Sequence, residues 1–264
     1  MKSEKIHSAA LALRNARDSR ITIPRISETF GISGMEEAYL VSSLNIEHKI
    51  AKGGKIVGKK IGLTSKAVQA QLGVGQPDFG ILFMDMEYLD GAEIPDKILT
   101  QPKAEAEIAF VIGSELKGEV VSYSQFLSSI KYVIPAIEIV DSVIDNWKIT
   151  LEDTIADNAS SGVYVLGNQP FTLGNILLGD VKMSMTKNDK VVSEGTGADC
   201  LGHPLRAAYW LAKTMLSKGE SIKSGEVVLS GALGPMTPLF PGDRITSSIS
   251  GLGTVSCSLA KRID

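Results

Sequence analysis

Lys103-Ala-Glu-Ala-Glu-Ile-Ala-Phe-Val-Ile112 carries two acids inside a run that otherwise reads as a buried strand, and Val133-Ile-Pro-Ala-Ile-Glu-Ile-Val140 repeats the pattern with Glu138. A carboxylate in a core strand is costly unless it is neutralised, paired or bound to a metal. Side chains alternate along a strand, so Glu105 and Glu107 share a face and can close on one ion, with Glu138 completing an oxygen-rich facial set. The competing reading is ion pairing with lysine or arginine across a sheet, the usual arrangement of buried carboxylates where no metal is present. Zinc and soft metals are poor candidates. The three histidines, His7, His48 and His203, lack ligand spacing, and Cys200 and Cys257 form no Cys-x-x-Cys. Hard oxygen ligands point to magnesium, manganese or calcium.

Around these strands the chain is long enough, at 264 residues with 44% hydrophobic content, for one large domain or a main domain with a small appendage. A formal charge of -3 with scattered basic residues argues against nucleic-acid binding. No apolar run is long enough to cross a bilayer, and Met1-Lys-Ser-Glu-Lys leads into an amphipathic stretch instead of a signal-peptide core. A cytoplasmic protein without membrane association is therefore expected, and two cysteines with no evident pairing agree with a reducing compartment.

Helical spacing runs from Lys2 to about Arg17 and from about Gly34 to Lys49, the second stretch with Ser33 as N-cap and Glu36 as its capping-box partner. These define a helical N-terminal region, residues 1–54. A β-rich catalytic domain is expected over 55–264. It opens with a strand at Ile56–Ile61, a helical turn at Ser65–Leu72 and a loop holding Gln76-Pro-Asp-Phe-Gly80, and strands at about 105–112 and 133–140 flank a helix near Ser124–Ile130. Beyond Ser160 the chain is mostly β, with turn signals at Gly167-Asn168, Asn188-Asp189 and Pro241-Gly-Asp243. One helix interrupts it, starting at Pro204 and ending at Gly219. The fold class is α+β, a curved β-sheet domain with a few covering helices.

Gly58-Lys-Lys-Ile-Gly-Leu-Thr64 lacks the spacing of a phosphate loop, so nucleotide binding is rejected. Lys60 is instead an acid-base candidate if it faces the acidic centre, against the default of a solvated lysine. Asp78 lies in a turn-forming sequence that can fix a carboxylate at the mouth of a site or merely close a local hydrogen bond. Asp157-Asn-Ala-Ser-Ser-Gly162 can bind a substrate carboxylate or anchor a loop. His203 either opens the late helix with no further part or faces a ligand at that helix's positive end. A nucleophilic serine is disfavoured because no Gly-x-Ser-x-Gly elbow occurs.

Gly58-Lys-Lys-Ile-Gly-Leu-Thr-Ser65, Gln76-Pro-Asp-Phe-Gly80, Glu105-Ala-Glu107, Pro135-Ala-Ile-Glu-Ile-Val-Asp-Ser142, Asp157-Asn-Ala-Ser160, Leu201-Gly-His-Pro204 and Ser230-Gly-Ala-Leu-Gly-Pro-Met236 together resemble the 2-keto-4-pentenoate hydratases of the fumarylacetoacetate hydrolase superfamily. The resemblance implies a mixed β-sandwich roll with a small helical N-terminal region. It implies a Mg2+ or Mn2+ cofactor on Glu105, Glu107 and Glu138, and acid-base roles for Lys60 and Asp78. The substrate would be a small 2-oxo or 2-hydroxy-dienoate, with Ser160, the backbone near Leu63 and His203 as substrate-binding candidates. The expected reaction is hydration of 2-hydroxypenta-2,4-dienoate to 4-hydroxy-2-oxopentanoate in meta-cleavage degradation of aromatic compounds. Close relatives decarboxylate 4-oxalocrotonate or hydrate 2-oxohept-3-enedioate, and the Ala-Leu-Gly-Pro-Met ending after Gly231 favours the pentenoate hydratases. A homo-oligomer and association with a related decarboxylase are implied as well. The rival outside catalysis is a silent partner subunit, against which the presence of Lys60 and Asp78 argues.

Overall fold

The computed structural model describes residues 2–65, Gln69 and 75–262. An eight-stranded sheet runs in the order β2 (Asp78–Phe83), β1 (Ile56–Gly62), β10 (Val227–Leu229), β5 (Pro102–Ile112), β6 (Ile130–Asp141), β7 (Ser161–Leu166) and β3 (Glu87–Leu89), with β11 (Thr237–Pro238) also paired to β5. A five-stranded sheet runs β4 (Ala92–Ile94), β13 (Gly253–Leu259), β12 (Arg244–Ile249), β8 (Lys182–Lys187) and β9 (Lys190–Thr196). Alternation decides what each face carries. Ala104, Ala106, Ile108 and Phe110 of β5 and Ile137 and Ile139 of β6 join Met183, Ile245 and Val255 of the smaller sheet in the main core. The intervening residues turn to the other face, where Ala109, Ile134, Ala136 and Leu229 form a separate cluster. Glu105, Glu107 and Glu138 share the alternation of this second face, so they stay out of the main core without leaving the sheet.

Helices α1 (Lys2–Ser19), α2 (Ile26–Thr29) and α3 (Gly34–Ala51) form an N-terminal layer whose apolar residues, Leu13, Ile26 and Val41 among them, pack with Val143, Ile144 and Ile155. Ile155 belongs to α5 (Leu151–Ala156), a helix the hydrophobic pattern does not announce; its signal is the capping box Thr150-x-x-Asp153. Among the described residues, α4 (Tyr123–Ser129) and α6 (Pro204–Ser217) complete the helices. Helix α6 ends as expected: the N–H groups of Gly219 and Glu220 donate to the carbonyls of Leu216 and Met215, and Gly219 takes φ +78°.

Three expectations change. The cap of α3 uses a different acid: Ser33 makes no side-chain cap, and its N–H donates to Glu37 Oε2 at 3.0 Å, one residue beyond Glu36. Asp78 lies in no turn but begins strand β2, because the chain straightens directly after Pro77 to pair with β1. Strands β5 and β6 each begin three residues earlier than the sequence suggests, since Pro102, Lys103 and Ala104 still pair with Asp141, Val140 and Ile139, and Ile130 and Tyr132 with Ile112 and Val111. The helical turn expected over Ser65–Leu72 falls largely outside the described residues.

Candidate metal centre

Strands β5 and β6 are antiparallel, and their register sets Glu105 directly opposite Glu138, with Glu107 opposite Ala136. One carboxylate oxygen from each of the three glutamates lies within 4.8 Å of the others. Lys60 reaches the cluster from β1, with its Nζ 3.2 Å from Glu138 Oε1. Asp78 enters from the adjoining edge strand, opposite Gly62. A Cβ on Gly62 would stand 2.1 Å from Asp78 Oδ1, so only glycine leaves room for this carboxylate. From the other side Gly231 N–H donates to Glu107 Oε2 at 2.8 Å. Gly231 has φ +94°, and a Cβ there would come 2.4 Å from Thr64 Cγ2, so the donor depends on glycine twice over.

Charge is badly balanced here. Four carboxylates, those of Asp78, Glu105, Glu107 and Glu138, surround one ammonium, and all but Glu105 are at most 2% exposed. Burial pushes Glu105 up to about 7, reinforced by Glu138 and only partly opposed by Lys60. Burial likewise raises Asp78 to about 6 against the pull of Lys60. Glu107 is driven well above the usual carboxylate range by burial and by the neighbouring Glu138 and Glu105. Burial pulls the Lys60 ammonium down, but the four surrounding carboxylates outweigh it and hold the group at about 12. Glu107 Oε1, both oxygens of Glu138 and Asp78 Oδ1 are buried without a hydrogen-bond partner among the described residues. The reading by ion pairing alone therefore does not account for two of the three glutamates, because among the described residues only Glu138 pairs with a lysine. Converging oxygens with open acceptor capacity and surplus negative charge are what a hard divalent cation needs, and the cluster fits one.

The other candidates are placed less uniformly. Leu63 continues directly from β1 with φ +57° and accepts a hydrogen bond from Gln69 Nε2 at 2.7 Å through its carbonyl. Ser160 is buried, with its hydroxyl 3.1 Å from Thr154 Oγ1. His203 is not brought to the carboxylates. Its Nδ1 accepts from Leu205 N–H at 3.1 Å as the N-cap of α6, and its ring lies on Gly179 beside a cleft of about 460 Å3 lined by Leu127, Leu173 and Leu178. His203 thus caps the helix it opens. Neither that cleft nor another of about 390 Å3 near Ser114 and Ser124 is lined by Asp78, Glu105, Glu107 or Glu138. Sequence reasoning also overlooked Tyr39, whose hydroxyl accepts from Phe79 N–H beside Asp78. No local pattern marks it, since a tyrosine in an amphipathic helix looks like any other core residue.

Comparison with known proteins identifies relatives along nearly the whole chain. Residues 61–260 match the family model described as fumarylacetoacetate hydrolase C-terminal. The chain is 47% identical to 2-keto-4-pentenoate hydratase 1 of Dechloromonas aromatica, with 96% of each chain covered, and 46% identical to 2-keto-4-pentenoate hydratase of Paraburkholderia xenovorans, covering 97% of this chain and 95% of the relative. Among solved structures, 4-oxalocrotonate decarboxylase from Pseudomonas putida G7, complexed with magnesium and adipate, superposes with a TM-score of 0.92 at 35% identity over 98% of both chains. With the family model covering most of its length and hydratases among its relatives, the chain belongs to the fumarylacetoacetate hydrolase family.

Proposed function

We propose that this chain is a metal-dependent hydro-lyase that hydrates 2-hydroxypenta-2,4-dienoate to 4-hydroxy-2-oxopentanoate, a step in meta-cleavage degradation of aromatic compounds. The observation that carries the reading is the buried surplus of carboxylates with unpartnered oxygens, a set that must either take up protons or be held ionised by a cation. Glu105, Glu107 and Glu138 would hold Mg2+ or Mn2+. When bound, that ion supplies Lewis-acid stabilisation of negative charge on the substrate's C2 oxygen.

The protein's own groups then move protons and place water. Lys60, positively charged beside Glu138, can hold the enolate oxygen or deliver the proton to the far end of the diene. The resulting 2-oxo-3-enoate is conjugated, so its C4 is open to attack by water. Asp78, buried beside Lys60, is the group that orients or deprotonates this water, and the proton it takes is then available to C3, where the addition ends. The backbone near Leu63 and the buried turn at Ser160 are assigned to orienting the substrate carboxylate. A cytoplasmic homo-oligomer is part of the same reading, tested by sedimentation of the purified protein with and without the related decarboxylase.

Decarboxylation of 4-oxalocrotonate is the second reading, carried by the solved decarboxylase; its 35% identity against 46–47% for the hydratases favours hydration. The two are separated by incubating the enzyme with enzymatically generated dienol and, separately, with 4-oxalocrotonate. Conversion of the dienol without release of carbon dioxide from 4-oxalocrotonate is the expected result. Carbon dioxide as the main product would replace hydration by decarboxylation.

A further inference from the structure

The carboxylate of Asp78 stands on the outermost strand of its sheet, and an edge strand directs alternate N–H groups away from its one neighbour. In β2 these belong to Phe79, Ile81 and Phe83, and a side chain takes each of them. Tyr39 Oη of α3 accepts from Phe79 N–H at 3.3 Å, and Met86 Sδ accepts from Phe83 N–H at 3.3 Å. Asn158 does more: its Oδ1 accepts from Ile81 N–H at 2.7 Å while its Nδ2 donates to Ile81 O at 2.9 Å. One amide thus stands in for the strand that β2 lacks on this side.

The clamp is held in a demanding geometry. Asn158, Ala159 and Ser160 have φ of +54°, +52° and +52°, a region that side-chain-bearing residues enter singly and at a cost. The turn is tied down on both flanks, by Ser161 Oγ donating to Asn158 O at 2.8 Å and by Asp157 Oδ2 accepting from Val143 N–H at 3.3 Å. Contact with β2 is so close that a Cβ on Gly80 would stand 2.5 Å from Asn158 O and 2.7 Å from Ser161 Oγ. At the start of the strand the Tyr39 ring stacks on Phe79 with centroids 4.5 Å apart and planes 16° apart. Lys218 Nζ lies 5.1 Å from the Tyr39 ring and 5.9 Å from that of Phe79. Phe79 directly follows Asp78, so whatever fixes its backbone fixes where the carboxylate emerges. A loop that needed only an anchor would have no use for three left-handed residues in succession.

We propose that Tyr39 and Asn158 are positioning residues for Asp78, locking the free edge of β2 so that this carboxylate is held at a fixed height beside Lys60 and the glutamates. The proposal rests on the reading of Asp78 as the acid-base group. It gives the N-terminal helices a part in the reaction through α3, although none of their side chains needs to touch substrate.

Three variants test it: Tyr39→Phe, which keeps the stacked ring but removes the acceptor; Asn158→Gly, which tolerates positive φ but removes both amide bonds; and Asp78→Asn as reference. Misplacement of a reacting group by a fraction of an ångström to 1 Å predicts kcat lower by roughly tenfold to a hundredfold in the first two, with KM and Mn2+ affinity by calorimetric titration within about twofold of the unaltered protein. If Asp78→Asn is inactive while Tyr39→Phe and Asn158→Gly turn over at the original rate, the positioning role is overturned and the reading of Asp78 survives. If Asp78→Asn remains fully active, that reading falls and the proposal falls with it. Loss of Mn2+ affinity in step with kcat would show a merely architectural role and likewise overturn the proposal. Should Asn158→Gly fail to fold, Tyr39→Phe alone decides.

Discussion

Two buried acidic clusters in this chain use the same residue types to opposite ends. Asp141 and Asp157 gather around Arg17, whose guanidinium lies 3.6 Å from Asp141 Oδ2 and 2.9 Å from Asp157 Oδ1. Asp141 also accepts from the N–H groups of Thr100 at 3.0 Å and Gln101 at 2.6 Å, and Asp157 from Val143 N–H at 3.3 Å. Every oxygen there has a donor. Around Lys60, by contrast, Asp78 Oδ1, Glu107 Oε1 and both Glu138 oxygens lack a hydrogen-bond partner among the described residues, with Glu138 Oε1 meeting Lys60 Nζ only as an ion pair at 3.2 Å. Both sites are buried, both hold one basic side chain, and both raise carboxyl groups: burial lifts Asp157 to about 6 despite Arg17, as it does Asp78 despite Lys60. What separates an ionic staple from a candidate metal centre is thus acceptor capacity left open, and neither burial nor acidity alone reveals it.

The sharpest break of this contrast is Glu107→Gln, which keeps the shape but removes one ligand charge. Turnover should fall at least about a thousandfold, the loss expected when Lewis-acid stabilisation worth several kcal/mol is removed. Metal binding should weaken in parallel, while metal-free thermal stability stays equal or rises, because glutamine keeps the shape of a buried acid that must otherwise hold a charge or a proton. Undiminished activity in the metal-depleted variant would remove the metal centre from the argument. Arg17→Met is the counterpart at the other cluster. It strands two buried carboxylates and should cost about 3 kcal/mol in urea unfolding, towards the low end for a broken buried pair because the arginine side chain is 31% exposed. Metal affinity should not change, and if it did, the two clusters would not be independent.

The difference between the clusters also explains how far a sequence reading could go. Glu105, Glu107 and Glu138 were legible because period-two alternation places acids two apart on one strand face, and apolar neighbours mark the strand as buried. Lys60 gained weight only from the blocks around it. The Arg17 staple was illegible, since it joins a helix to residues 124 and 140 positions further on. Asp78 is expected in a turn but begins β2, because Pro77 and Gly80 outweigh, as local signals, the β character of Phe79-Gly-Ile-Leu-Phe83. The late helix is bounded by Pro204 and Gly219, both local signals, and His203 caps its first turn. Tyr39 meets β2 through tertiary contact alone and nothing in its own segment distinguishes it, whereas Asn158 lies in the polar Asp157–Gly162 cluster, which does not announce its tie to β2.

Protons give the finest test of the contrast. Asp78 and Glu105 have folded-state pKa values raised from ordinary carboxylate values to about 6 and about 7, so between the unfolded and folded values the native state holds protons that the unfolded chain has lost. Their contribution to stability is present below pH 4 and disappears as pH rises through 6 to 7. Asp157 acts in the same direction with its value near 6. Metal-free protein should therefore lose stability on going from pH 5 to pH 8, on the order of 2 kcal/mol once coupling between the sites is allowed for. A divalent cation competes with protons at the open cluster only, so saturating Mg2+ should raise the thermal midpoint markedly at pH 8 and hardly at pH 5. The part of the pH slope that Mg2+ cannot remove belongs to the staple, and Asp157→Asn should flatten it without altering the metal-dependent part. A Mg2+ effect equally large at pH 5 and pH 8 would mean that the glutamates are already ionised without the metal, and the charge surplus that distinguishes the two clusters would not exist.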